Sequence, residues 1–110
     1  MILFFRTASK SVIATEVNHD LTPEDIEKLS WLYGDAVVED EKNLKGYFIG
    51  PRREMITPWS TNAVEITQNM NIKGVMRIEE YFPVKDDSAE YDPMLQRLYN
   101  SLNQDIFVVN

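Results

Sequence analysis

The sequence predicts an α+β fold, with a mixed, mostly antiparallel sheet and about three helices packed on one face. Short β-prone runs alternate with longer segments of helical apolar spacing, and the links between them are short and hairpin-like. A strand-helix-strand pattern occurs twice, which indicates a pseudo-duplicated, ferredoxin-like unit. A chain of 110 residues can bury one modest core, so we predict a single domain over residues 1–110.

Five short runs are typical of strands. Ile2–Phe5 and Val12–Val17 are β-prone and are separated by a polar stretch, which predicts two strands or a hairpin. Residues 36–38 and the aromatic run Gly46–Gly50 predict strands on either side of a charged connection. Val75–Tyr81 alternates weakly between apolar and polar side chains and predicts a further strand.

Three segments are typical of helices, because each begins with a capping residue and a proline. Thr22-Pro23 and Asp92-Pro93 place a side-chain oxygen before a proline that suits the first helical turn, and Thr57-Pro58-Trp59-Ser60-Thr61 offers two possible caps for the second helix. The apolar stripes that follow are Ile26, Leu29 and Leu32 or Tyr33, then Ala63, Ile66 and Met70, then Met94, Leu95, Leu98, Tyr99 and Leu102. Gly34 is expected to end the first helix, and Asn71 or Gly74 the second.

The two ends of the chain carry apolar runs. Met1–Phe5 lacks a basic lead and a small-residue cleavage site, which indicates an opening strand and not a signal peptide, so we expect a cytoplasmic protein. No run is long enough to span a bilayer. Ile106–Val109 has the composition of a buried strand with almost nothing after it, and we expect the chain to be part of a longer polypeptide.

Composition excludes several classes of function. Cysteine is absent, which removes disulfides, thiolate nucleophiles and zinc sites that depend on sulfur. The net charge is −7, from 11 basic and 18 acidic residues, and such a balance repels a phosphate backbone. We therefore expect no nucleic-acid partner and no membrane partner.

Two polar features could carry chemistry, and each has a simpler interpretation. His19, the only histidine, could act as a general base, but a loop histidine without a nucleophile is usually a surface residue. The carboxylates of Asp86, Asp87, Glu90 and Asp92 could bind magnesium or calcium, but they lack the spacing and glycine of a calcium loop. We favour a surface histidine and a solvated connection, and predict no catalytic residue and no metal site.

An aromatic run offers a third alternative. Tyr47-Phe48 superficially resembles the strand of an RNA-recognition module, in which exposed rings stack on bases. Such a module needs a second aromatic strand and a positive surface, and this chain is acidic. Core and edge positions are therefore favoured for both rings.

The passage from residue 50 to residue 61 is the strongest candidate site. Arg52 and Arg53 precede a predicted helix N-terminus, and guanidinium groups and free backbone N–H groups both favour an anion. Alternatively, the arginines pair with acidic residues and Trp59 packs on a neighbouring surface. We select Arg52, Arg53, Thr57, Trp59 and Ser60 as residues for interdomain docking or anion contact.

The same passage carries a family resemblance. Pro51-Arg52, then Thr57-Pro58-Trp59-Ser60, then Ala63-Val64-Glu65-Ile66 resemble a segment near the start of large-type phosphoribosylformylglycinamidine synthases. The first predicted helix and the strand Val75-Met76-Arg77-Ile78-Glu79 are similar to that family as well. Arg53-Glu54-Met55 stands where many members have proline-glycine-threonine.

The resemblance implies a part of a larger enzyme. In that family, a C-terminal glutaminase domain releases ammonia, and a central synthetase domain uses ATP and magnesium to amidate formylglycinamide ribonucleotide. The N-terminal domain bridges these two parts and helps to form the ammonia path, so the partners expected are the glutaminase and synthetase domains of the same chain. The segment itself is expected to hold no cofactor and to be inactive alone.

Two other functions are compatible with the residues alone. One is a stand-alone ferredoxin-like module that binds a small anionic ligand or RNA, and the other is a free-standing hydrolase. No cysteine, one histidine and no glycine-rich phosphate loop argue against independent chemistry, which favours the docking domain.

Overall fold

Six strands and two helices form the part of the chain that the structure, a computed structural model, describes, residues 1–109. In chain order the elements are β1 (Ile2–Arg6), β2 (Val12–Val17), α1 (Pro23–Leu32), β3 (Val37–Val38), β4 (Leu44–Pro51), α2 (Pro58–Asn69), β5 (Val75–Val84) and β6 (Gln96–Leu102). This confirms the predicted α+β class.

All six strands belong to one sheet with the order β3-β1-β2-β5-β4-β6, and every neighbouring pair is antiparallel. The strand β5 joins the two halves. Its first part pairs with β2, up to Tyr81 opposite Val12, and its last part pairs with β4, from Phe82 opposite Ile49. Among residues 1–109, one edge of β5 is therefore left without a partner strand over Val75–Tyr81. The ferredoxin-like unit is not confirmed, because β1 and β2 pair directly with no helix between them.

The two helices begin as their sequences predict. The Thr22 hydroxyl accepts the N–H of Asp25 at 3.1 Å, and the Thr57 hydroxyl accepts the N–H of Ser60 at 3.0 Å. The helix α1 is followed by Gly34, and α2 by Asn71, both with positive φ.

The stripe predicted for α2 is partly wrong. Ile66 is exposed, and the fully buried positions of this helix are Ser60 and Thr67. Both hydroxyls are satisfied: Ser60 Oγ accepts the N–H of Ile78 at 2.9 Å, and Thr67 Oγ1 donates to the Val64 carbonyl at 2.6 Å. Burial of polar side chains is tolerated where such hydrogen bonds are made.

The predicted third helix is wrong, because Gln96–Leu102 forms the strand β6. The Asp92 cap is present, with its carboxylate accepting the N–H of Met94 at 2.9 Å, but the helical geometry lasts one turn. From Gln96 the backbone pairs with β4. Ser101 has a φ of 74° and lies opposite a register shift in β4. As a result Tyr99 and Leu102, which are three residues apart, are both buried, and this spacing resembles that of a helix.

The predicted C-terminal strand is also wrong. Gln104–Phe107 forms a turn, in which Ile106 is buried in the core. The Gln104 side chain accepts the N–H of Ile2 at 2.6 Å and donates to its carbonyl at 3.0 Å. One glutamine therefore satisfies both backbone groups that a further strand would have bonded.

The core lies on both sides of the sheet. On one side, residues of α1 and α2 cover a cluster that includes Phe5, Leu29, Ile72 and Ile78, so the helices do share a face as predicted. The other side holds Ile2, Phe4, Val12, Ala14, Leu44, Phe48, Tyr81, Tyr99, Leu102 and Ile106, with Phe107 packed against them. The C-terminal turn, and not a helix, covers this second cluster.

Candidate docking site

Two opposite charges on β5 lie buried beneath the segment that follows β4. Arg77 and Glu79 are 5% and 1% exposed, and Arg77 Nε donates to Glu79 Oε2 at 3.0 Å. Residues two apart in a strand share a face, which brings the two side chains together. Removing charges from water is costly unless their remaining donors and acceptors are also bonded.

The remaining donors of Arg77 bind the turn after β4. Its two terminal nitrogens donate to the carbonyls of Arg53 at 2.7 Å, Arg52 at 3.1 Å and Met55 at 2.9 Å. The guanidinium carbon also lies 4.4 Å from the centre of the Phe107 ring. Arg77 therefore fixes the backbone of residues 52–55 from below.

The carboxylate of Glu79 fixes the start of α2. Its Oε1 accepts the Thr57 hydroxyl at 2.6 Å, and its Oε2 accepts the Thr57 N–H at 3.2 Å. A negative group at this position also complements the positive end of the helix dipole. Ser60 adds a second attachment through its bond from the Ile78 N–H, so α2 is tied to β5 at two neighbouring points.

An apolar groove of about 400 Å³ lies beside this attachment. Its lining residues are Gly50, Pro51, Met55, Ile56, Thr57, Pro58, Trp59, Glu79, Glu80, Phe82, Leu95 and Gln96. Ile56, Trp59, Phe82 and Leu95 are large apolar side chains that remain exposed. We call this feature the Trp59 groove.

Glycine at position 50 sets the floor of the Trp59 groove. A Cβ atom there would lie 2.2 Å from Cδ2 of Tyr81, a distance that real contacts do not allow. Tyr81 in turn meets the ring of Tyr99 edge-on, with centroids 5.2 Å apart. The bare backbone of Gly50 therefore lets β4 lie directly on the core.

The five residues selected from the sequence lie in one segment but face different ways. Trp59 is 46% exposed in the groove, whereas Thr57 and Ser60 turn inward to β5. Arg52 bonds to Glu54 at 2.5 Å, and Arg53 donates to the Ile106 carbonyl at 3.2 Å. Their role in docking or anion contact stays a prediction.

Sequence reasoning missed the residues that support the segment. The alternating charges at Arg77 and Glu79 resemble a solvated strand face, and only the neighbouring Val75, Ile78 and Tyr81 hinted at burial. Phe82 and Leu95 were also missed, since they reach the groove from β5 and from the turn before β6.

His19 lies exposed, on a loop. Its ring nitrogens lie 2.9 Å from the Asp20 carbonyl and 2.8 Å from the Lys73 carbonyl. These carbonyls, Asp20 first, raise the pKa of His19 above its ordinary value, because they accept hydrogen bonds from the protonated ring.

The acidic run and the aromatic run take ordinary structural positions. Asp86 accepts the N–H of Ser88 at 2.9 Å, and Asp92 caps a turn. Within residues 1–109, no group of three or more His, Cys, Asp or Glu side chains is arranged for a metal ion. Phe48 is buried in the core, so its face is not open to a base.

Comparison with protein families gives a match that covers nearly the whole chain. The sequence model of the formylglycinamide ribonucleotide amidotransferase N-terminal family matches residues 10–106. The chain belongs to this family. No solved structure was found to match it.

Membership confirms the resemblance drawn from the Pro51–Ile66 passage. The chain is the N-terminal domain of a formylglycinamide ribonucleotide amidotransferase, also called phosphoribosylformylglycinamidine synthase, an enzyme of purine biosynthesis. The matched range contains the Trp59 groove and the Arg77–Glu79 pair. Neither helix among the described residues has the length and apolar character needed to cross a membrane.

Proposed function

We propose that this amidotransferase domain docks the glutaminase and synthetase domains of its own chain and helps to form the ammonia path between them. The parent reaction is the ATP-dependent amidation of formylglycinamide ribonucleotide with glutamine. The Trp59 groove is the contact surface, and Trp59 is its aromatic anchor.

The exposure of the groove carries this proposal. Isolated apolar side chains are common on protein surfaces, but a contiguous group such as Ile56, Trp59, Phe82 and Leu95 marks an interaction surface. Tryptophan is one of the residue types enriched at the energetic centre of interfaces. The family match supports a partner in the same polypeptide.

The buried residues beneath the Trp59 groove also support a role in docking. Arg77 binds three carbonyls of the turn, and Glu79 binds Thr57, the residue that caps the start of α2. A surface that is already fixed before contact loses less conformational entropy when it docks. The buried ion pair therefore preorganises Trp59 and Ile56 without touching the partner.

The chemistry is assigned to the other domains. Glutamine hydrolysis needs an activated nucleophile, and this chain has no cysteine and an exposed histidine bonded to carbonyls. The acidic side chains of the described residues are not gathered for a metal ion. We place ATP, magnesium and both reaction centres outside this domain, which acts in the cytoplasm as a scaffold.

The test is Trp59→Ala in the intact enzyme. Loss of a central aromatic anchor is expected to lower the glutamine-dependent synthetase rate about tenfold or more, while glutaminase turnover and the rate with added ammonium salts stay near wild type. The matched control is Trp31→Ala, because Trp31 is 68% exposed on α1 and lies outside the groove. Unchanged coupling in the Trp59 variant, or equal loss in both variants, would refute the proposal.

A further inference from the structure

The five arginines of the chain differ in their partners. Arg6, Arg52 and Arg77 each lie within salt-bridge distance of a glutamate. Arg53 and Arg97 pair with no carboxylate within residues 1–109, although the chain carries 18 acidic residues against 11 basic ones. Two guanidinium charges are thus left available in an acidic domain.

Both of these arginines line one cavity of about 380 Å³, between the turn at residues 52–55 and the strand β6. Its polar lining consists of Arg53, Glu54, Arg97, Asn100, Ser101 and Asn103. None of these residues lines the Trp59 groove. We call this second cavity the arginine basin, and its volume is in the range typical of small-molecule sites.

Each guanidinium group of the arginine basin uses one of its nitrogens to bind backbone carbonyls, and its other nitrogens remain available as donors. Arg53 donates through Nε to the Ile106 carbonyl at 3.2 Å, and its carbon lies 5.4 Å from the centre of the Tyr99 ring. Arg97 uses Nη1 for the carbonyls of Pro93 and Gln96. The terminal nitrogens of Arg53 and the Nε and Nη2 of Arg97 donate to no group within the described residues.

Asparagine side chains add neutral donors. The Oδ1 of Asn103 accepts the N–H of Asp105 at 2.8 Å, which leaves its NH₂ group to point elsewhere. Asn100 is exposed next to Ser101, whose φ of 74° bends β6 at this point. The basin therefore combines two forked cations with amide donors, the combination that recognises oxyanions.

Glu54 is the one carboxylate in the lining. Its own backbone N–H, then Arg52, hold the pKa of Glu54 below its ordinary value, with a smaller contribution from Arg97. Glu54 is thus ionised near neutral pH, and its charge is matched by Arg52 at 2.5 Å. The charges of Arg53 and Arg97 remain in excess.

We propose that the arginine basin binds an oxyanion of phosphate size, the phosphate group of a small molecule. Guanidinium forks match the geometry of phosphate oxygens, and the cavity leaves room for an organic group beyond them. The net charge of −7 disfavours a long polyanion, which favours a small ligand over nucleic acid. A carboxylate group also binds guanidinium groups, so the experiment must distinguish a carboxylate ligand from a phosphate ligand.

The experiment is calorimetric titration of the intact protein with inorganic phosphate, and separately with acetate, in a buffer free of other oxyanions. We expect Arg53→Gln and Arg97→Gln each to remove or weaken one phosphate-binding event about tenfold or more. Other phosphate sites of the intact protein are common to all variants, so the difference isolates the basin. Binding of phosphate alone identifies a phosphoryl ligand, and equal binding of acetate identifies a carboxylate.

The matched control is Arg6→Gln, which removes the same charge from a residue paired with Glu39 far from the basin in the sheet. Phosphate affinity should be unchanged in this variant. Because the readout is phosphate binding and not the coupling of the two activities, failure of the docking proposal and failure of this one are distinguishable. Arg53→Lys, which keeps the charge but loses the fork, should bind with intermediate affinity. Wild-type affinity in both glutamine variants, or no binding of either anion, overturns the proposal.

Discussion

Arg77 Nε lies 3.0 Å from Glu79 Oε2, and both side chains are buried between the sheet and the turn that precedes α2. The pair binds four backbone groups of residues 52–57 in addition to itself. The stability of the fold and the shape of the Trp59 groove therefore depend on the same two charges.

Glu79→Gln should destabilise the domain strongly. The substitution leaves Arg77 buried without a counter-charge, and breaking one partner of a buried pair costs about 3–5 kcal/mol. The measurement is the free energy of unfolding in urea. Glu39→Gln is the control, because its pair with Arg6 is about 30% exposed and should contribute less than about 1 kcal/mol. Equal losses in the two variants would contradict a dominant role for the buried pair.

Ser60→Ala should cost about 1–3 kcal/mol, because the Ile78 N–H would be left buried without an acceptor. Thr61→Ala changes the neighbouring exposed hydroxyl and should stay within about 0.5 kcal/mol of wild type. Hydrogen exchange of the Ile78 amide gives a local readout. Slow exchange of that amide in the Ser60 variant would show that the hydroxyl is not its acceptor.

Tyr81→Phe should leave stability unchanged or raise it slightly. The Tyr81 hydroxyl is buried with no hydrogen-bond partner among the described residues, so its removal relieves a desolvated group. Tyr99→Phe is the matched comparison, since the Tyr99 hydroxyl donates to the Pro51 carbonyl at 2.5 Å and its loss should cost about 1 kcal/mol. Thermal unfolding of both variants measures their relative stability. A lower melting temperature for Tyr81→Phe than for Tyr99→Phe would contradict the prediction.

His19 should titrate above its ordinary pKa of 6.5. Because the folded-state pKa is raised, the stabilising contribution of the protonated ring is complete below pH 6.5 and is lost as pH rises through the folded-state value. Proton NMR of the ring gives the pKa directly. In His19→Asn this part of the pH dependence of stability should disappear, and a ring pKa at or below 6.5 in wild type would contradict the assignment.

Local signals in the sequence predict the starts of the helices but not the third helix. Thr22-Pro23 and Thr57-Pro58 act within one turn, and the structure has both caps. Asp92-Pro93 has the same local chemistry, yet the chain after it pairs with β4, a strand more than 40 residues earlier. The residues of a segment as short as one helix do not specify pairing with so distant a strand. The local pattern therefore predicts a helix where the structure has β6.

The sequence likewise predicts some residues of the candidate site and not others. Trp59 could be selected because its neighbours form a recognisable motif, and it is indeed exposed beside a groove. The burial of Arg77 depends on carbonyls 22 to 25 residues away in the chain, which no alternation pattern specifies. Arg97 lies on β6, a strand that the sequence pattern does not predict, so its position in the same cavity as Arg53 follows only from the fold.

The hydrogen bond from Ile78 to Ser60 has a consequence for solubility. Over Val75–Tyr81 one edge of β5 pairs with no strand of the described part of the chain. The start of α2 lies at that edge, where it is bound through the Ser60 hydroxyl and the Thr57–Glu79 contact. An uncovered strand edge is a template on which a strand of another molecule can add. The first turn of α2 therefore also covers a strand edge, and a variant that loosens this turn is expected to self-associate more readily.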